Sequence, residues 1–391
     1  LRRIGHFAPG AIGIGRRTGV ALLAVIVILL AGCRFPGSVR PSIKIGLVAP
    51  FEGRYRYIGY DVLYAVRLAL REANSDGGVG GYSVELVAYD DRGDPELAIQ
   101  QARKLAVDPQ VVAVIGHFQE QTTEAAAPVY DDSGIPLVAP GMLSSSLTGD
   151  YEGVFRLGPP ACALAQGILD CLEAEPGDAG LGLVGAEGYL GRAILLEAEA
   201  GGIGVEVLTA DGETGWLDVL PDLASPLVCD AEPLPAGRAA SDLRALGWTG
   251  RLYGGPALTA GDFASVAGGA AEGALALTPW PFPGDVPGSD AFGESYEAMG
   301  YHVGPPGTLA LPAYEATWLL LEALERDIEE NGVPSRAGMA SAIPSTSRTG
   351  LLGEIVFDAA GEWAGAPLYW YEIQPDGLPL LVEDPACAAA P

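Results

Sequence analysis

Residues equipped for bond-making chemistry are scarce in this 391-residue chain. It holds three His, at His6, His117 and His302, and five Cys, at Cys33, Cys162, Cys171, Cys229 and Cys387. No two Cys form a CxxC pair, so zinc has no ready ligand set and no metal site is expected. His117 and His302 stand in no Ser or Cys elbow, which leaves hydrolysis without a visible nucleophile and base. A nucleotide cofactor needs a glycine-rich turn after a first strand. Here that strand runs into Ala49-Pro50-Phe51-Glu52-Gly53, and the glycine-rich Ile12-Gly13-Ile14-Gly15 lies far upstream. No catalytic residue and no cofactor are therefore expected, and the chain reads as a binder rather than an enzyme.

Charge narrows the partners. The chain carries 22 Lys and Arg against 50 Asp and Glu, a net −28. Such a surface repels phosphate backbones and excludes a nucleic-acid role. Residues 1–32 read as an export signal: Arg16-Arg17, then the apolar run Val20 to Leu30, then Leu30-Ala31-Gly32-Cys33. The run is short for a membrane span, which needs about 20 residues. Small residues directly before a Cys resemble the bacterial lipobox, which implies that Cys33 becomes the lipid-bearing first residue. An uncleaved anchor helix with an incidental Cys is the alternative. Residues 33–42, rich in Pro, Gly and Ser, read as a tether. Cys162 and Cys171 fall on one expected helix. Nine residues turn about 900° and rise about 13.5 Å, so the two face opposite sides and cannot bridge each other. Pairing among the later four Cys stays open, with buried free thiols as the expectation.

The elements that must position any site alternate. Strands are expected at Ile43–Ala49, Tyr82–Tyr89, Val111–Ile115 and Ile135–Ala139, with helices at Tyr60–Ala73, Pro95–Val107 and Thr122–Asp132 between them. Asp94 is a good N-cap with Pro95 behind it. The cluster Gly77–Gly81 suits a tight helix-to-strand reversal, and Gly116 marks a close approach of backbone to a ligand or a helix. The alternation then restarts: helix Cys162–Ala174, strand Leu181–Gly185, helix Leu190–Ala200, strand Ile203–Leu208, strand Pro226–Cys229, helix Ala239–Leu246 and strand Ala274–Thr278. Long helices follow at Leu309–Glu330 and Arg336–Ile343. Glu354–Phe357 and Leu368–Ile373 read as a hairpin or near-hairpin. Short runs apolar on both faces imply parallel sheets covered by helices. The fold class is α/β: two Rossmann-like lobes with parallel sheets flanked by helices, and a cleft at the carboxyl ends of the strands.

Several stretches resemble the periplasmic-binding-protein type I family, and within it the branched-chain amino acid receptors of ABC importers. They are Ile43 to Gly53, Ala73 to Gly81, Tyr89-Asp90-Asp91, Val114-Ile115-Gly116-His117, Tyr130 to Pro136, Phe155-Arg156, Ala271-Glu272-Gly273 and Ala313 to Ala316. The order and spacing hold from about 43 to 373. The resemblance implies two lobes hinged by three crossovers. Lobe 1 would be residues 43–157 plus 280–345, and lobe 2 residues 158–279 plus 346–385. It also implies a monomeric extracytoplasmic receptor, held on the outer face of the cell membrane by its lipid or else periplasmic, that closes on a small ligand and docks on an ABC permease. The alternative is a lipid-anchored sensor using the same lobes to report to a signalling partner.

The resemblance also assigns site positions. The stretch after Gly116-His117, with Phe118, Glu120 and Gln121, matches the family's segment for the ligand carboxylate. Glu120 stands where a hydroxyl is usual, and two carboxylates repel. Either Glu120 points away, as a solvated residue of a helix first turn, or the ligand offers a cation or donor there. Thr122 or Thr123 would cap the following helix. Leu143 and Ser144 match the second ligand segment, with Ser144 as a helix N-cap the alternative. Tyr189 matches a tyrosine that covers the ligand. Pro256 replaces the acid that receives the ammonium, and Glu232 is the candidate substitute. Phe51, Tyr55 and Tyr57 would line the mouth. With both marks of α-amino-acid recognition altered, an amine or amide-like ligand is expected if Glu120 faces the cleft.

Overall fold

The computed structural model describes residues 40–141, 145–173, 180–208, 223–300 and 304–383. The signal segment, Cys33, Leu143, Ser144, His302 and Cys387 lie outside them.

Strand β1 (Ser42–Ala49) is buried along most of its length, as the apolar residues on both its faces after Lys44 require. It pairs in parallel with β2 (Ser83–Asp90) on one side and β3 (Val111–Gly116) on the other, setting Ala49 opposite Asp90. With β4 (Leu137–Ala139) and β5 (Val154–Arg156) the sheet runs β2-β1-β3-β4-β5, all parallel. The helices α1 (Arg56–Ser75), α2 (Pro95–Ala106) and α3 (Glu120–Asp132) connect these strands. Helix α1 buries Ile58, Val62, Val66, Leu70 and Ala73 along one face. Each full aliphatic burial contributes about 1.5–3 kcal/mol. Helix α2 starts as its sequence dictates: the Asp94 carboxylate accepts the Leu97 N–H at 2.9 Å and Pro95 takes the first position. Between α1 and β2, Gly77, Gly78, Gly80 and Gly81 all have positive φ. Gly116 has φ +128°, and a Cβ there would collide with the Val48 carbonyl of β1. The close neighbour is thus a strand, not a ligand or a helix.

After the short α4 (Ser145–Asp150) and α5 (Ala161–Glu173), the chain builds a second sheet. Strands β6 (Leu181–Val184), β7 (Val205–Leu208), β8 (Leu227–Cys229), β9 (Leu252–Gly254) and β10 (Leu275–Thr278) are parallel. Helices α6 (Tyr189–Gly201), α7 (Pro233–Ala245) and α8 (Gly261–Ala267) lie among them in sequence. Next come α9 (Asp290–Glu297), α10 (Ala310–Asn331) and α11 (Arg336–Ala342), all three contributing to the core of the first sheet. Strands β11 (Arg348–Gly350) and β12 (Gly353–Ile355) make a separate hairpin. Finally β13 (Tyr369–Ile373) and β14 (Pro379–Val382) add antiparallel to β10, giving the order β14-β13-β10-β9-β8-β6-β7. The chain therefore passes between the two sheets' cores three times: after β5, after β10 and before β13.

Four readings of the sequence change. Glu354–Phe357 and Leu368–Ile373 do not pair with each other. The turn between them closes locally through a Phe357–Trp363 bridge, and β13 joins the second sheet instead. Residues 346–366, read with lobe 2, send Leu352, Ile355, Phe357 and Trp363 into the first core. Arg348 ties this stretch to the buried Glu315 of α10 at 2.5 Å. Helix α3 begins at Glu120, so Thr122 and Thr123 lie inside it. Their hydroxyls donate back to the Gln119 carbonyl at 3.0 and 2.8 Å rather than capping. Finally, Cys171 is disulfide-bonded, while Cys162 and Cys229 are free.

Candidate functional site

In each sheet the strand order reverses at one place, and loops there diverge to leave a crevice. In the first sheet this lies between β1 and β3; in the second, between β6 and β8. The loop after β1 carries Phe51 and Tyr55, and the loop after β3 leads into Glu120. The loop after β6 carries Glu187 and Gly188 before Tyr189, and the loop after β8 carries Asp230 and Glu232. All these loops leave the carboxyl ends of parallel strands.

A cavity of about 340 Å³ opens between the two sets of loops. It is lined by Glu120, Gln121 and Glu124 of α3 and by Glu187, Gly188, Tyr189 and Arg192 of the β6–α6 turn and α6. Across it, Arg192 and Glu120 form an ion pair at 3.6 Å, with the Glu120 side chain only 13% exposed and Arg192 59% exposed. Tyr189 is half-buried and its hydroxyl oxygen is buried. Burial pushes that hydroxyl's pKa up, against the opposing pull of the Arg156 guanidinium. Three carboxylates face one guanidinium, so the cavity favours positive charge.

The walls are fixed from behind. Asp230, at the end of β8, accepts the Gly191 N–H at 2.8 Å and so holds the start of α6. Burial raises the Asp230 pKa, and the Gly191 and Leu190 N–H groups oppose that rise. Gly188 is required beside it, because a Cβ there would strike the Asp230 carboxylate. A second cross-cleft contact lies beside the cavity: the Tyr55 hydroxyl donates to Glu232 Oε1 at 2.7 Å. Burial, then this bond, pushes the Tyr55 pKa up to about 12. The Arg54 guanidinium stacks 4.4 Å from the same ring. His117 is fully buried, with Nδ1 2.6 Å from Asp91 and Nε2 3.2 Å from the Tyr130 hydroxyl. Both ring nitrogens are engaged inside the first sheet's layer, so it is not presented to a ligand.

Of the sequence candidates, the structure brings Glu120, Gln121 and Tyr189 together. Phe118 is buried in the first core and Phe51 packs against it, and neither lines the cavity. Tyr57 is 61% exposed and also outside the lining. Glu232 sits at the N-cap of α7, bound to Tyr55 rather than reaching the cavity. Pro256 opens a short 3-10 turn and offers no acceptor side chain. Reading the sequence missed Glu124, Glu187, Arg192 and Asp230. Helical spacing held the signal for two of them: Arg192 is three residues beyond Tyr189, and Glu124 four beyond Glu120, each on its neighbour's face. Among the described residues no cluster of side chains could hold a metal, and no helix is long and apolar enough to cross a membrane.

Known proteins share this architecture. The leucine-, isoleucine-, valine-, threonine- and alanine-binding protein of Pseudomonas aeruginosa is 25% identical, covering 89% of this chain and 94% of its own. The fold matches LivJ of Streptococcus pneumoniae, a branched-chain amino acid transporter substrate-binding protein solved with isoleucine. Its TM-score is 0.71 and its identity 18%, over 87% of this chain and 100% of that one. It also matches a solute-binding protein of an R. palustris ABC transporter solved with benzoate, with TM-score 0.68 and 20% identity, over 87% and 95% of the two chains. The family model for the periplasmic binding protein matches residues 42–208 and 235–378. The chain therefore belongs to the periplasmic binding protein family, a family of binding rather than catalytic proteins.

Proposed function

We propose that this chain is the extracytoplasmic solute receptor of an ABC importer, and that its ligand is an amino acid or a related amine or amide held in the cavity between Glu120 and Tyr189. The carrying observation is the 340 Å³ cavity at the switch points of both sheets, whose best-buried charge is the Glu120 carboxylate. Pockets for small ligands start at about 300 Å³, so it suits a compound of amino-acid size. The relative from Pseudomonas aeruginosa, named for five amino acids, supports that class. A ligand donor facing Glu120 fits the site better than a bare anion, which three nearby carboxylates repel. The lobes would close on it by rotation about the three crossings, and the closed form would dock on a permease. The lipobox-like Leu30-Ala31-Gly32-Cys33 supports a lipid anchor at Cys33.

Isothermal titration of the mature chain against amino acids, amides and polyamines tests this. At least one should bind with micromolar affinity or better, and Tyr189→Ala should weaken it about tenfold or more. Absence of binding across the panel overturns the ligand class. Tight leucine binding that Glu120→Ser leaves unchanged overturns the role of Glu120.

A further inference from the structure

We propose that His117, buried and out of reach of any ligand, is the positioning residue of the first lobe's binding wall. Its ring ties the loop after β2 to the turn after β3, and so sets where Glu120 and Gln121 meet the ligand. This rests on the cavity proposed above as the ligand site, and adds the side chain that holds its first wall in place.

His117, Asp91 and Tyr130 form a buried polar trio drawn from three elements. Asp91 follows β2, His117 follows β3 and Tyr130 belongs to α3. Buried polar groups hold together only when their partners are in place. The ring's Nδ1 lies 2.6 Å from Asp91 Oδ2 and its Nε2 3.2 Å from the Tyr130 hydroxyl. Burial, then the Asp91 charge, raises the Tyr130 pKa, so that hydroxyl keeps its proton and donates it to Nε2. Nδ1–H is then the donor to the Asp91 carboxylate. The other Asp91 oxygen accepts the Gly93 N–H at 2.9 Å, and the Asp91 N–H reaches the Ala49 carbonyl of β1 at 3.3 Å.

The trio's neighbours are the residues that face the cleft. Gly93 has φ +70°, and a Cβ on it would strike the Gln119 side chain and the Tyr55 ring. Tyr55 is the donor to Glu232 across the cleft, and Gln119 directly precedes Glu120 and Gln121 of the cavity lining. The His117 carbonyl accepts the Thr123 hydroxyl at 3.3 Å, which fixes the first turn of α3. Loops after β1, β2 and β3 thus meet around one imidazole. A phenyl ring in its place fills the space and donates nothing. The buried Asp91 carboxylate then loses its shortest bond, and the loop after β2 gains by swinging toward water. That motion lifts Gly93 off Gln119 and Tyr55, and a binding wall tolerates only about 0.5 Å of such drift.

Leucine is titrated calorimetrically into the unchanged chain, H117F, H117N, D91N and R336M, under conditions where urea curves show each folded. Asn carries a donor at the place of Nδ1 and can keep the Asp91 bond, whereas Phe keeps only the shape. R336M loses stability away from the cavity and controls for destabilisation alone. H117F should weaken leucine about tenfold or more, D91N about three- to tenfold, H117N about threefold or less and R336M about twofold or less. The D91N result decides if H117F does not fold. Equal loss in H117F and R336M, equal loss in H117F and H117N, or unchanged affinity in H117F or D91N overturns the positioning role. Hydrogen exchange needs no ligand: the amides of Gly93 and Gln119 to Gln121 should exchange faster in H117F and D91N than in the unchanged chain. Unchanged exchange there overturns the proposal. A chain that does not bind leucine counts against the ligand class alone, and the exchange result then decides the role of His117.

Discussion

The Tyr55 hydroxyl bonds to the Glu232 carboxylate at 2.7 Å, and the two residues belong to loops of different sheets. The donor ring is buried at the edge of the first core, and the acceptor is the exposed N-cap of α7. The bond therefore acts on the angle between lobes rather than on either fold.

Tyr55→Phe should loosen the unliganded chain without unfolding it. A hydrogen bond to an exposed carboxylate is worth about 1 kcal/mol, roughly fivefold in the ratio of closed to open forms. Small-angle scattering should show a larger radius of gyration for the variant, and saturating ligand should erase the difference. An unchanged radius without ligand would remove the latch role.

Asp61 of α1 should make stability fall as pH rises from about 4 to about 6. Its carboxylate accepts the Gly307 and Leu309 N–H groups at 2.7 and 3.0 Å, ahead of α10. Desolvation outweighs those bonds and raises its pKa from 3.8 to about 6. The folded value lies above the unfolded one, so the folded state holds its proton longer. The stability gained by that proton is complete below about pH 4 and lost as pH climbs through about 6. The slope is at most about 1.4 kcal/mol per pH unit. Urea unfolding at pH 5 and pH 7 should show a smaller difference for Asp61→Asn than for the unchanged chain.

Arg336 should be among the more costly side chains to remove. Its guanidinium donates to the carbonyls of Ala106, Asp108, Val111 and Ser133 at 2.8–3.2 Å. It thus serves the carboxyl ends of α2 and α3, where a cation is favourable. Arg336→Met removes all four donated bonds and should cost about 2–4 kcal/mol in denaturant unfolding. Ligand affinity should change far less, since the contact lies at the end of the sheet away from the cavity.

The free cysteines should react unequally. Cys229 is buried, and burial pushes its thiol up to about 12, whereas Cys162 is half-buried. Alkylation at neutral pH in native buffer should label Cys162 first and Cys229 only after unfolding. Cys171 should need reduction as well. Peptide mass spectrometry reads all three sites.

Much of the fold was legible because its elements are long or punctuated. The mostly apolar stretch Ile43–Ala49 of β1, the periodic face of α1 and the Asp94-Pro95 start of α2 each state their own structure. Strands of three residues such as β5 and β9 carry no period, and only their neighbours make them strands. The partner of Leu368–Ile373 was hidden for the same reason, since a turn signal says where a chain bends and not which sheet receives it. In the site, Glu120 and Tyr189 follow motif glycines and could be placed. Asp230 could not, because its role depends on β8 lying beside β6.

The three crossings bear on how the chain is made. The first sheet is laid down by residue 156, yet its core also needs α10, Ile355, Phe357 and Trp363. The second sheet waits for Tyr371 and Ile373. Neither half can finish folding until the chain has been made past Ile373, so a ribosome-bound chain reaches that point without a completed core. An export apparatus that threads unfolded polypeptide would find this one still open.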